Sequence, residues 1–128
     1  MPTRWRPAVL WALLIEALVL WPNPPEVSLG WTIIWLDFMK LDKMVHAALF
    51  AVLTVLLMRA WLVASRPQRA AVAAFGISAA FGAFTEIQQH FIPTRAMEFG
   101  DFLADAAGAA AGLLVFAAWA LRRREFSR

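Results

Sequence analysis

The chain has 128 residues, of which 62% are hydrophobic and 16% are charged. This length allows one domain, and so apolar a composition excludes both a disordered chain and a water-soluble two-domain enzyme. The absence of cysteine excludes disulfides, thiol catalysis and cysteine-ligated metals. The net charge of +3 does not indicate nucleic-acid binding, because the arginines lie at the ends of apolar segments rather than on one basic face.

The first apolar segment covers residues 8–21 and ends at a proline-rich break that begins with Pro22. At roughly 1.5 Å per residue it is about 21 Å long, which is shorter than the roughly 30 Å hydrocarbon core of a bilayer. The segment predicts a short anchoring helix with a tryptophan at each interface. A cleaved signal peptide is the alternative, but Glu16 lies within the run and no small-residue cleavage site follows it.

Three longer helices are expected after this anchor. Residues 31–39 are too few to span a bilayer, and their aromatic side chains predict a segment lying at the headgroup level. Further spans are predicted at 44–64, 70–87 and 102–121, with Pro67 breaking the first connection and a polar loop at 88–95 forming the second. The sequence therefore predicts an all-α, integral membrane four-helix bundle that forms a single domain over residues 1–128.

The distribution of basic residues predicts the orientation. Nine of the 12 Lys and Arg residues lie at the N-terminus, in the connection between spans two and three, and in the C-terminal tail. Because cytoplasmic loops carry the excess of positive charge, both termini are expected in the cytoplasm. This agrees with an even number of spans, whereas a cleaved first segment would leave three spans and move the N-terminus outside.

Small residues form one face of the fourth span. Gly108 and Gly112 are four residues apart, as are Ala107 and Ala111, a spacing that lets two helices approach closely. Packing within the bundle is the simpler interpretation, and a homodimer through Gly108 and Gly112 is the alternative.

Ionisable residues gather at one end of the predicted bundle. Asp42 and His46 are one helical turn apart, and Asp101 and Asp105 share the glycine face of the fourth span. Because an ionisable group in hydrocarbon is costly, such residues are expected to face the bundle interior with a partner. The spacing predicts a polar pocket at the outer membrane face, formed by Asp42, Lys43, His46, Glu86, Gln89, Arg95, Asp101 and Asp105.

Two interpretations of this pocket remain open. Its acids and bases suit proton transfer, metal ligation or phosphate binding, but a hydrogen-bonded ion network could equally tie the helices together. Metal ligands could come from Asp42, His46, Glu86, His90 and Asp101, but none of the spacings is a known metal signature, so neither a metal site nor a cofactor is predicted. Glu16 could join the pocket or face a neighbouring helix.

The same residues carry a family resemblance. Four elements occur in order along the chain: Asp42-Lys43-Met44-Val45-His46, Glu86-Ile87-Gln88-Gln89, Pro93-x-Arg95 and Asp101-x-x-x-Asp105-x-x-Gly108. Together they resemble the motif series of the VanZ-like family of small multi-spanning bacterial membrane proteins. The resemblance implies a place in the inner membrane and a link to tolerance of the glycopeptide teicoplanin. Two positions depart from the family, since Asp105 stands where Asn is frequent and Phe50 where Tyr is frequent.

The function hypothesis follows from the chemistry of these side chains. The protein is expected to bind, and in an extended form of the hypothesis to modify, an anionic lipid, a lipid-linked cell-wall precursor or a glycopeptide at the outer face. An acid–base group is assigned to His46, Glu86, Asp42 and Asp101, with Asp42 orienting His46. Substrate binding is assigned to Lys43, Gln89, Arg95 and Asp105. The alternative is a non-catalytic accessory protein whose charged cluster only holds the bundle together.

Overall fold

The computed structural model describes residues 2–22, 41–63, 65–93 and 97–125, with the backbone alone for the last three of these. A 3-10 helix, Thr3–Trp5, leads into four α-helices. The described residues contain no strand. The helices are α1 (Arg6–Val19), α2 (Leu41–Leu62), α3 (Pro67–Gln89) and α4 (Phe99–Glu125). The prediction of an all-α four-helix protein is confirmed, while the predicted interfacial segment at 31–39 lies outside the described residues.

Three of the helices are long and apolar enough to cross a membrane, namely α2, α3 and the Phe99–Arg122 part of α4. The remaining helix, α1, has 14 residues and matches the predicted short anchor. Large apolar side chains on the outside of the bundle are left uncovered, with Val72 75% and Leu114 72% exposed. Such a surface suits lipid rather than water, and the protein is therefore a membrane protein.

The helix boundaries extend beyond the predicted apolar segments. Pro67 begins α3 instead of lying in a connection, because the first helical position does not use the backbone N–H that proline lacks. The same helix continues through Gln89, which therefore belongs to a helix and not to the predicted loop. Asp42 and Asp101 lie in the first turns of α2 and α4, where the positive end of the helix dipole favours a carboxylate. Hydropathy alone had placed both acids outside the spans.

Helix α2 contacts each of the other three helices. The indole Nε1 of Trp11 on α1 donates a hydrogen bond to the backbone oxygen of Leu49, at 2.9 Å. The hydroxyls of Thr54 and Ser78, both buried, join α2 to α3 at 2.8 Å. Within hydrocarbon no water can satisfy these groups, so each interhelical hydrogen bond removes an otherwise costly polar atom from lipid.

The closest helix contact joins α2 and α4. A Cβ atom added at Gly108 would lie 2.6 Å from the Cα atom of Ala47, and one added at Gly112 would lie 3.1 Å from the Cα atom of Ala51. Both glycines thus face α2 of the same chain, and their absent side chains let the two backbones meet. The small-residue pattern is accounted for by packing within the bundle.

Successive helices run in opposite directions. The side-chain amide of Gln89, at the end of α3, donates to the backbone oxygen of Val19, at the end of α1, at 3.1 Å. The contact between Lys43 and Asp101 brings the first turns of α2 and α4 together, and the backbone N–H of Glu98, just before α4, donates to Glu86 near the end of α3, which places these turns at the same end. The C-termini of α1 and α3 and the N-termini of α2 and α4 therefore form one end of the bundle, here called the polar end.

Candidate functional site

The centre of the polar end is a buried pair of side chains. The Nδ1 atom of His46 on α2 lies 3.0 Å from Oδ1 of Asp105 on α4, and the two side chains are 4% and 0% exposed. A buried imidazole held by a carboxylate is fixed in orientation, and its ring nitrogens are the atoms that could exchange a proton or bind an ion.

A glycine on α3 makes room for this carboxylate. A Cβ atom added at Gly82 would lie 2.9 Å from Oδ2 and 3.0 Å from Cβ of Asp105. The second carboxylate oxygen of Asp105, Oδ2, is buried and has no hydrogen-bond partner among the described residues. Helices α2, α3 and α4 thus enclose a carboxylate that is only half satisfied.

A second acid from α3 completes the buried group. Glu86 is 1% exposed, and its Oε2 atom accepts a hydrogen bond from the backbone N–H of Glu98 at 3.0 Å. In the described part of the chain its other oxygen, Oε1, is buried without a hydrogen-bond partner. An unsatisfied buried acceptor costs about 1–3 kcal/mol, and more when it is charged.

The one lysine of the described polar end is held by acids. Lys43 donates to Asp101 in a close contact and to Oε2 of Glu98 at 3.1 Å. Gly100 leaves space for it, since a Cβ atom there would lie 2.8 Å from Nζ. The ammonium group is therefore shared between a buried and a half-exposed carboxylate, whose side chains are 7% and 48% exposed.

These residues form two overlapping sets that could hold a cation. The possible ligand atoms of Asp42, His46 and Asp101 lie within 4.8 Å of one another, and so do those of His46, Glu86 and Asp105. We call all seven residues of this region the polar cluster, which comprises Asp42, Lys43, His46, Glu86, Glu98, Asp101 and Asp105. Five carboxyl groups face one lysine and one histidine, so the polar cluster is acidic in character.

The sequence was also compared with known protein families, curated proteins and solved structures. A family model described as VanZ/LLP1 matches residues 7–121. The chain belongs to this family. The match includes all of α1 after its first residue and the residues of the polar cluster, so it extends beyond the four elements on which the resemblance rests. Searches of curated proteins and of solved structures returned no match.

Most of the predicted site residues of this VanZ/LLP1 family member come together, but with different partners. His46 lies against Asp105 on another helix, instead of being oriented through Asp42 one turn away. Lys43, predicted to bind an anion, has carboxylates as its partners.

Two other predicted positions have their partners outside the buried pair. Gln89, predicted to bind substrate, donates to the backbone of α1. Glu16 lies beside the amide of Gln88, which donates to the carboxylate at 3.1 Å in the orientation that hydrogen bonding favours. Glu16 thus faces a neighbouring helix. Arg95 lies outside the described residues.

Sequence reasoning missed three contributors to the polar cluster, namely Glu98, Gly82 and Gly100. Glu98 lies one turn before Asp101, at the start of α4, where a carboxylate is a common helix-start residue. That position was a signal that could have been used. The two glycines carried no signal in the sequence, because only the neighbouring helix shows what fills the space above them.

Proposed function

We propose that the protein binds the anionic group of a membrane lipid or of a lipid-linked cell-wall precursor at the outer face of the bacterial inner membrane. One observation carries the proposal: the ionisable side chains are gathered at one end of the bundle, and the end of a membrane-spanning bundle is the part that a lipid headgroup can reach. Because burying acids and a histidine is costly in a bilayer, their presence at this end supports a functional site there.

The orientation is part of the proposal. The excess of Lys and Arg at the N-terminus, at the connection between α2 and α3 and in the tail supports cytoplasmic termini. The polar end lies opposite this basic end, because Lys43 and Asp101 are at the starts of α2 and α4. The polar cluster would then be reached from outside the cell.

In this proposal two basic residues recognise the anion. Arg95 is the residue expected to hold phosphate or carboxylate, because a guanidinium can donate two parallel hydrogen bonds to either. Lys43 would add to it by exchanging one of its two carboxylate partners for the ligand. His46, fixed by Asp105, would serve as proton acceptor or donor at the bound group if a bond is made or broken.

Binding of defined lipids tests the proposal. The full chain in nanodiscs is titrated with undecaprenyl phosphate and with phosphatidylglycerol, against phosphatidylcholine as the neutral lipid, and teicoplanin is titrated as the glycopeptide arm. We expect saturable binding of an anionic lipid that weakens about tenfold or more in Arg95→Gln, and no change in the matched control Arg69→Gln at the opposite end. If neither anionic lipid binds saturably, or if both variants behave alike, the proposal is wrong.

A structural role for the polar cluster is the second candidate. The contacts of Lys43 with Asp101 and of His46 with Asp105 favour it, because they join residues 58 and 59 positions apart in sequence. The contact of Glu86 with the backbone of Glu98 adds a link between α3 and the start of α4. Removing one partner of a buried charged pair costs about 3–5 kcal/mol when the pair is structural.

Thermal unfolding in detergent separates the two candidates. In the structural case His46→Ala, Glu86→Gln and Asp101→Asn unfold well below the wild-type temperature. Functional sites instead commonly exchange stability for activity, so variants as stable as the wild type, or more so, support a ligand site.

A further inference from the structure

Two carboxylate oxygens in the polar cluster are buried without a hydrogen-bond donor from the described residues: Oε1 of Glu86 and Oδ2 of Asp105. Both side chains are almost fully buried, at 1% and 0% exposure. Native proteins leave few buried acceptors unsatisfied, and two acids facing one space repel each other when both are ionised. A positive ion between them would satisfy both oxygens and remove the repulsion.

The third member of the group supplies a different kind of ligand. His46 lies with Glu86 and Asp105 so that one possible ligand atom from each falls within 4.8 Å of the others. The 3.0 Å separation of His46 Nδ1 from Asp105 Oδ1 fits a shared ion as well as a hydrogen bond. Neighbouring ligands of a six-coordinate ion with metal–ligand distances near 2.1 Å lie about 3 Å apart.

The donor set indicates the class of ion. One imidazole nitrogen with two carboxylates suits a divalent transition metal such as Mn²⁺ or Zn²⁺, whereas Mg²⁺ and Ca²⁺ prefer ligand sets made of oxygen alone. Two carboxylates also balance the charge of one divalent ion. We propose that His46, Glu86 and Asp105 bind one divalent transition-metal ion between α2, α3 and α4.

The other set of possible ligands is less suited to an ion. Asp101 already accepts a hydrogen bond from Lys43, whose ammonium group neutralises it. Asp42 is exposed, so water can solvate its carboxylate. Only the set of His46, Glu86 and Asp105 is buried throughout and contains the two unsatisfied oxygens. The inference does not depend on the proposed lipid binding, because the ion can be measured without any added lipid.

Metal titration of the full chain tests this site. The protein is purified in detergent, stripped with a chelator, and titrated with Co²⁺, Mn²⁺ and Zn²⁺ in turn, with Mg²⁺ and Ca²⁺ as comparison ions. We expect one transition-metal ion per chain, visible absorption bands for bound Co²⁺, and a higher unfolding temperature in the presence of the ion. Bound Mn²⁺ is expected to show the magnetic coupling to nitrogen that an imidazole ligand produces.

Matched acid-to-amide variants locate the ion. Glu86→Gln and Asp105→Asn are expected to bind at least about tenfold more weakly, since each removes a charged ligand. Asp42→Asn and Glu16→Gln, which change acids outside the proposed set, are expected to bind like the wild type. Circular dichroism and gel filtration confirm that each variant is folded before it is titrated.

Three results would overturn the inference. The wild type could bind no transition metal at a ratio of one per chain, which would mean that protons neutralise the buried acids instead. Binding could persist unchanged in folded Glu86→Gln, or it could be lost in Asp42→Asn, which would assign the ion to the other set. If Glu86→Gln does not fold, the nitrogen coupling of wild-type Mn²⁺ decides, because its absence excludes His46 as a ligand.

Discussion

The contact between α2 and α4 predicts that one methyl group at Gly108 is destabilising. In Gly108→Ala the new Cβ atom would lie 2.6 Å from the Cα atom of Ala47, whereas ordinary van der Waals contact begins at 3.4 Å. Because the atom it meets is backbone, no side chain can turn aside, and the helices must separate by several tenths of an ångström. Overpacking of this kind costs typically about 1–3 kcal/mol.

Gly76 provides the matched control. It lies in α3, and a Cβ atom added there would meet nothing within 4 Å. Gly76→Ala should therefore gain up to about 1 kcal/mol from the higher helix propensity of alanine, with no packing cost. Since Gly108→Ala has the same propensity gain but adds a methyl group that clashes with α2, the difference between the two variants estimates the packing cost alone.

Unfolding in detergent, followed by the loss of helical circular dichroism, measures this difference. We expect Gly108→Ala to be less stable than Gly76→Ala by about 1–3 kcal/mol. Gly112→Ala should lie between them, because its Cβ atom would also meet the backbone oxygen of Ala51 but would lie 3.1 Å from the Cα atom of that residue, farther than the 2.6 Å found at Gly108. Equal stability of Gly108→Ala and Gly76→Ala would refute the close approach of α2 and α4.

Three further outcomes are expected. Trp11→Phe should lower the free energy of unfolding by about 0.5–1.5 kcal/mol, because it removes the hydrogen bond from α1 to the α2 backbone while keeping an aromatic ring. An unchanged free energy in denaturant unfolding would mean that this hydrogen bond adds no stability. Gly82→Ala should destabilise the protein, because its methyl group would lie 2.9 Å from Asp105 Oδ2. In the double variant Gly82→Ala with Asp105→Ala, the loss in free energy of unfolding should be smaller than the sum of the two single losses, and purely additive losses would count against the contact. In a chain without natural cysteine, Met97→Cys should react with an impermeant thiol reagent in intact cells and Gln68→Cys only after permeabilisation, and the reverse pattern would invert the proposed orientation.

The general architecture could be predicted because it depends on properties local to each segment. Apolar runs of spanning length predict the long helices. The four-residue spacing of Asp101 and Asp105 predicts that both acids share one helix face with Gly108. The ends of the helices were less accessible to this reasoning. Asp42 and Asp101 stabilise the first turns of α2 and α4 but lower the hydropathy of those turns. A prediction based on apolar length therefore begins each helix after its acid.

The partners within the polar cluster could not be predicted, because they depend on how the helices are rotated against one another. The one-turn spacing predicts Asp42 as the partner of His46. Residues four positions apart are neighbours on every helix, whatever packs against that helix, so the spacing does not depend on the other helices. The contact that forms is with Asp105, which requires α4 to turn its glycine face toward α2 and Gly82 of α3 to leave space. Spacing along one helix carries no information about that rotation.

The glycine contact and the polar cluster are mechanically linked because they share one face of α4. Gly108 follows Asp105 by less than one turn, so any separation of α2 from α4 at Gly108 also acts on the 3.0 Å contact between His46 and Asp105. A methyl group at Gly108 therefore disturbs both the packing and the buried pair. Trp11, by contrast, joins α2 from the side of α1, so its loss should reduce stability while leaving that pair in place. Close helix packing is in this protein the means by which two side chains 59 positions apart are held within hydrogen-bond distance.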